Sequence, residues 1–264
     1  MDTFKLALVT GATSGIGEAL AKLLASKGIS LILTGRNENK LKELSTSLGV
    51  AVHCITADLA KKEERAKLIA CIHELKPDLV VNNAGFAHFG EVCSLETPRL
   101  MEVTEVNAVA LQELTLEALK SMKNAQQKGV ILNVASVAAF IIIPSHAIYC
   151  ATKAFVVQLS ESLDFEMRPY GMRVLASCPG VVYTDFKNRS GGPGTKAHRR
   201  MSVEYAAEEI WRQIVHESGV VIFNWRARLR VFWNTIFSRA WLADRIRRNT
   251  ARVLARRTKG SKLG

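Results

Sequence analysis

Phe4-Lys5-Leu6-Ala7-Leu8-Val9-Thr10 runs directly into Gly11-Ala12-Thr13-Ser14-Gly15-Ile16-Gly17, and the order of these two stretches decides the fold. The first reads as a buried strand. After the second, apolar residues recur at Ile16, Ala19, Leu20, Leu23 and Leu24, the spacing of one face of an amphipathic helix. Strand, glycine-rich turn and helix therefore follow in sequence, as in the first unit of an open α/β sheet.

That context makes the turn a candidate dinucleotide loop. Glycines let the backbone approach a pyrophosphate, and the helix N-terminus offers N–H groups and a positive dipole end. The spacing is Gly-x-x-x-Gly-x-Gly, so Gly11, Ser14, Gly15, Ile16 and Gly17 are the expected contacts. A second strand over residues 30–34 ends at Gly35-Arg36, where a chain preferring NAD would carry a carboxylate for the ribose 2′-hydroxyl. Arg36 would instead attract a 2′-phosphate, so NADP(H) is expected in preference to NAD(H), which stays open. A third strand over residues 50–55 leads to Asp58, a candidate acceptor for an adenine amino group. A fourth, over residues 78–81, leads to Asn82-Asn83-Ala84-Gly85. All these ends fall on the carboxyl edge of the sheet, where open α/β folds bind ligands.

The candidate chemistry lies further on. Tyr149 and Lys153 are one helical turn apart in Tyr149-Cys150-Ala151-Thr152-Lys153, with Ser136 thirteen residues before the tyrosine. Both side chains share a helix face, so an ammonium can favour the ionised phenol and make it an acid-base group. His146 precedes Tyr149 by three residues and reads as a hydrogen-bonded loop histidine sooner than a substrate contact.

With these residues in view, the chain resembles the short-chain dehydrogenase/reductase superfamily, of the compact single-domain type. The likeness spans about residues 4–223 and rests on Thr10-Gly11-x-x-x-Gly15-Ile16-Gly17, Asn82-Asn83-Ala84-Gly85, Asn107, Ser136, Tyr149-x-x-x-Lys153 and Pro179-Gly180-x-x-x-Thr184, all in family order. The resemblance implies that Tyr149 exchanges a proton with a substrate carbonyl or alcohol oxygen, its pKa lowered by Lys153 and by the nicotinamide charge. It further implies that Lys153 binds the nicotinamide ribose, Ser136 polarises the carbonyl, Asn107 helps hold a water relaying protons to Lys153, and Thr184 binds the carboxamide. Asn83 joins the cofactor contacts. A homodimer or homotetramer is implied, pairing through helices at about residues 98–123 and 149–168.

Alternating strand and helix patterns with no internal repeat predict an α/β class, a doubly wound parallel sheet of the Rossmann type. Residues 1–223 form the single domain, and residues 224–264 a basic amphipathic helical extension. The net charge of +12 belongs almost wholly to that extension. Residues 225–264 hold 12 Lys or Arg against one acid, Asp244, leaving 24 basic and 23 acidic residues elsewhere. With Trp225, Trp233 and Trp241 and helically spaced Leu229, Phe232, Ile236 and Phe237, the extension would suit an anionic membrane surface. It would equally serve as cover for the substrate cleft or a partner subunit. Nucleic acid is disfavoured, because no recognition motif accompanies the charge.

Five cysteines show no paired or metal-ligand spacing, so no metal is expected and the thiols read as reduced. The first strand starts too early for a signal peptide, and no stretch is apolar enough to span a bilayer. A cytoplasmic protein, peripheral to a membrane if the extension binds one, is expected. Phe86, Phe89, Phe140 and Ile141-Ile142-Ile143 predict an apolar pocket, and the glycine-rich stretch at residues 191–194 a lid. The expected activity is NADP(H)-dependent interconversion of a carbonyl and a secondary alcohol on a lipophilic ketone or ketoacyl substrate. Small soluble ketones or hydroxy acids are the second reading, and an NADP(H)-sensing scaffold recruiting a partner through the extension is the third.

Overall fold

The computed structural model describes residues 4–183, 201–236 and residue 248. Seven parallel strands form one sheet in the order β3-β2-β1-β4-β5-β6-β7. They are β1 (Leu6–Thr10), β2 (Ser30–Gly35), β3 (Val52–Thr56), β4 (Leu79–Asn82), β5 (Gly129–Val134), β6 (Met172–Cys178) and β7 (Val220–Ile222). Helices α1 (Gly15–Ser26), α2 (Glu38–Ser47), α3 (Lys62–Leu75), α4 (Thr97–Thr104), α5 (Leu111–Asn124), α6 (Ala147–Met167), α7 (Val203–Val215) and α8 (Trp225–Ile236) complete the described chain.

Central strands are apolar on both faces because both are covered. Ala7 and Val9 of β1 pack with Leu20, Leu24 and Ile210 of α1 and α7, while Leu8 points the other way, to Leu68, Ile72 and Leu114 of α3 and α5. The strand order reverses between β1 and β4, and the crevice at that switch point is where such sheets take ligands.

Two features depart from the expected helix pattern or the apolar core. The helix expected over residues 98–123 is interrupted by a π-helical turn, Glu105–Ala110. No glycine or proline breaks it. Buried Arg65 spans the turn instead, binding Glu105 at 2.8 Å and Glu113 at 2.6 Å, and donates to the Leu59 carbonyl at 2.8 Å.

The second feature is a polar cluster inside the otherwise apolar core. Register partners Asn82 and Asn133 on β4 and β5 bond side chain to side chain at 2.9 Å. Asn82 also reaches Thr115 of α5 at 3.0 Å, and Asn133 donates to Ser160 of α6 at 2.9 Å. Asn82 Oδ1 keeps no partner in the structure.

Candidate active site

β1 delivers the chain into Gly11, whose φ of +65° is the left-handed conformation glycine adopts without penalty. Close approach governs Gly17 instead. A Cβ there would lie 2.4 Å from the Gly11 carbonyl oxygen and 2.5 Å from Asn83 Nδ2. Ser14 is the N-cap of α1 with an extended backbone, yet its hydroxyl takes none of the helix's first N–H groups. Those donors are free to receive an anion, and the dipole favours one there.

Asn83 braces this turn: its Nδ2 donates to the Thr10 and Gly11 carbonyls at 2.9 and 3.3 Å. The Asn83 and Ala84 N–H groups donate to Thr10 Oγ1, both at 2.9 Å. Thr10, quoted in the motif but assigned no contact, thus fastens β4's exit to β1's. Arg36 is exposed at the end of β2, and half-buried Asp58 follows β3. One Asp58 carboxylate oxygen, Oδ1, accepts from Ala60 N at 3.1 Å.

The catalytic candidates converge from three elements. Ser136 leaves β5 as N-cap of a short helical turn, Val137–Phe140, its hydroxyl accepting from Ala138 N at 3.1 Å and hydrogen-bonding Tyr149 of α6. Lys153, one turn along, is 4 % exposed and donates from Nζ to the Val134 carbonyl at 2.7 Å. That nitrogen lies 5.8 Å from the centre of the Tyr149 ring. Asn107, fully buried on the π-helical turn, clamps Phe86 through its N–H at 3.0 Å and its carbonyl at 2.8 Å, and reaches Thr152 of α6 at 3.3 Å. Both Nδ2 hydrogens and one lone pair of Oδ1 thereby hold the Gly85-Phe86 loop against the Tyr149 helix. Thr184 and the glycine-rich stretch at 191–194 lie outside the described residues.

Among the protein's own groups, Lys153 is not one that sets the Tyr149 pKa. Burial pushes the Tyr149 pKa up to about 12, against the weaker opposing bond from Ser136. Burial likewise pushes Lys153 down to about 8. The lysine is committed to Val134 and does not by itself depress the phenol, because α6 aims its ammonium at the β5 backbone.

Whereas Thr10, Gly17 and Asn107 give support from behind the wall, Gly11, Ser14, Gly15, Arg36, Asp58, Asn83, Ser136, Tyr149 and Lys153 line one cleft of about 1340 Å³. That is more than one small-molecule pocket needs and suits a dinucleotide with a substrate beside it. Phe86, Phe89, Ile141 and Ile143 form its apolar part as expected, but Phe140 and Ile142 do not. Phe140 packs into the core and Ile142 is exposed, because the extended chain at Ile141 sends alternate side chains to opposite sides. His146 is on the cleft, its ring 4.9 Å from that of Tyr149 and 5.3 Å from that of Phe89. Its Nδ1 is buried without a hydrogen-bond partner in the structure, and burial lowers its pKa to about 4. Spacing from Tyr149 was the only signal in the sequence for this neutral wall residue.

The short chain dehydrogenase family model matches residues 5–192. A 3-oxoacyl-(acyl-carrier-protein) reductase of Rickettsia prowazekii is 35% identical over 187 residues, 71% of this chain and 76% of that protein. Among solved structures, a short-chain dehydrogenase from Sphingobium yanoikuyae in complex with NADPH superposes with a TM-score of 0.80 at 29% identity, covering 88% of this chain and 92% of the other. The bulky-bulky ketone specific alcohol dehydrogenase from Comamonas testosteroni gives 0.77 at 26%, covering 89% and 91%. Sheet order, cleft and these likenesses agree: the chain belongs to the short-chain dehydrogenase family of oxidoreductases.

Proposed function

We propose that the protein interconverts a carbonyl and a secondary alcohol with NADP(H), acting on a lipophilic ketone or ketoacyl compound. The observation that carries this reading is the meeting of Ser136, Tyr149 and Lys153 on one wall of a cleft that also holds the α1 N-terminus and Arg36. The cofactor fits that cleft. Gly11 and Gly15 leave room for a pyrophosphate on the uncapped helix end, Gly17 lets the turn close on itself behind them, Arg36 lies where a 2′-phosphate would go, and Asp58 keeps a carboxylate oxygen for an adenine amine. Thr184 and Lys153 would hold the nicotinamide riboside. When bound, the cofactor supplies or takes up the hydride.

The chain's residues handle the proton. In reduction, Tyr149 gives its hydroxyl proton to the carbonyl oxygen while Ser136 donates a hydrogen bond to the same oxygen, stabilising charge as it develops. Lys153, with a pKa of about 8, exchanges protons near neutrality and can restore the phenol. Asn107 holds the loop and helix that frame this path. A hydrophobic substrate is supported by Phe86, Phe89, Ile141 and Ile143, and by the oxoacyl and bulky ketone relatives. Small soluble ketones or hydroxy acids are the second reading, supported by His88 and Arg99 on the same cleft. The free state of all five cysteines fits a reducing compartment such as the cytoplasm. Exposed Phe155 and Phe165 on α6 support a homodimer or homotetramer.

The test is cofactor oxidation against carbonyls running from small ketones to long-chain ketoacyl and steroid ketones, with Tyr149→Phe as control. The reading expects turnover that rises with lipophilicity and is abolished in the variant. Turnover unaffected by Tyr149→Phe would refute the assigned acid, and tight NADPH binding without turnover on any carbonyl would favour a sensing scaffold.

A further inference from the structure

Helix α8 follows β7 at the outer edge of the sheet and leans on the Val137–Phe140 turn, whose Val137 and Ala138 belong to the cleft wall. At about 100° per residue, Trp225, Leu229, Phe232 and Trp233 fall on one side of this helix. They are 66, 45, 55 and 44% exposed. Ala227 and Val231, on the opposite side, are half-buried. The apolar stripe therefore turns away from the cleft, and the described part of the extension does not act as its cover. Arg226 and Arg228 border the stripe on its two flanks. The Arg226 guanidinium lies 5.3 Å from the Trp225 ring, and Arg228 donates to the Ile222 carbonyl at 2.7 Å.

Large apolar side chains exposed together mark an interaction surface. Its charge selects the partner: residues 225–264 carry 12 Lys or Arg against a single acid. A second copy of the chain would set this charge against itself. Nucleic acid would answer the charge and leave the aromatic stripe in water. An anionic bilayer satisfies both, taking aromatic and aliphatic groups into the interface while arginines along the borders reach the headgroups. No helix among the described residues is long and apolar enough to cross a membrane, so the contact is peripheral.

We propose that α8 is an interfacial helix that docks the protein on anionic lipid through its exposed stripe, with the helix itself lying between the bilayer and the Val137–Phe140 turn. Docking does not depend on which carbonyl the cleft reduces, so it can stand if the substrate reading fails.

Flotation of the full chain with phosphatidylcholine vesicles, with and without phosphatidylglycerol, tests it. Each arginine or lysine near an anionic surface strengthens partitioning about fivefold, so binding to the anionic vesicles is expected to exceed that to neutral ones by at least about a hundredfold and to weaken with salt. The triple variant Trp225→Ala, Leu229→Ala, Phe232→Ala keeps its charge and uses the strongest helix former. It should lose at least about tenfold in binding while retaining its melting temperature and cofactor affinity. Absence of flotation, equal flotation on neutral lipid, or full binding by the triple variant would overturn the proposal. So would a wild type that ignores vesicles but changes oligomeric state through the same residues, or that binds only oligonucleotide.

Discussion

Replacing Gly17 by alanine adds one methyl group where the structure has no room for it. The new Cβ would meet the Gly11 carbonyl oxygen at 2.4 Å and Asn83 Nδ2 at 2.5 Å. The first is backbone, so the turn itself must shift, and overpacking of this kind costs about 2 kcal/mol. Displacing Asn83 weakens its bonds to the Thr10 and Gly11 carbonyls, about 1 kcal/mol each. The resulting loss of about 4 kcal/mol lowers the melting temperature by about 10 °C in a domain of this size. Moving one N–H off a bound phosphate weakens cofactor affinity at least about tenfold. Gly28→Ala is the control: its φ is +77°, but its Cβ would meet nothing within 4 Å. It should cost about 1–2 kcal/mol, or roughly 4 °C, from backbone strain alone, and leave the cofactor Kd unchanged. Thermal unfolding by circular dichroism and titration of NADPH fluorescence read both quantities. A Gly17→Ala protein with wild-type Kd, or one no less stable than Gly28→Ala, would refute the steric reasoning.

Three further outcomes follow from the site. Asn107→Ala orphans Phe86 N and O and removes one bond to Thr152 Oγ1, which still donates to the Tyr149 carbonyl; the expected loss is about 3 kcal/mol, read as an unfolding midpoint, together with a lower kcat. Arg36→Ala removes a charge-assisted phosphate contact of about 2 kcal/mol, so the Kd for NADPH should rise about thirtyfold with that for NADH unchanged, and equal loss for both would sink the NADP(H) assignment. Lys153 has a folded pKa of about 8 against an ordinary 10.5, so the unfolded chain binds more protons and the cost of burying the cation fades as pH rises above about 8. Tyr149, raised from 10.0 to about 12, opposes this above pH 10, so between about pH 8 and 10 wild type should gain in melting temperature relative to Lys153→Met, and a constant difference across that window would contradict the assignment.

The glycine turn, the strand ends and the Tyr149–Lys153 face were legible because each depends on neighbours within one turn or one strand. The limits of the four strands read from the sequence differ by no more than two residues from those of β1 to β4, while β5, β6 and β7 were not delimited. The π-helical turn was not legible, since its partners Arg65 and Phe86 come from segments distant in sequence. The direction of Lys153 was hidden for the same reason: nothing near it in the chain names the Val134 carbonyl. Side-chain alternation after Ser136 could have been applied to Ile141, Ile142 and Ile143, yet which of the two sides faced the cleft depended on the path of the turn.

The asparagine cluster between β4 and β5 bears on the proposed catalytic geometry from a distance. An apolar helix lying on an apolar sheet has several settings of similar energy, differing by a small slide or rotation. Ser160 is bonded to Asn133 eleven residues beyond Tyr149 on α6, about 16 Å along the axis. A slide of α6 would break that bond and strand buried amides, so the helix has one setting. β4 and β5, the strands joined by the same amides, lead to Asn83 and Ser136 respectively. The distance between phenol and serine is therefore gauged deep in the core, three turns from Tyr149, and a substitution there would change the proposed catalytic geometry without touching the cleft.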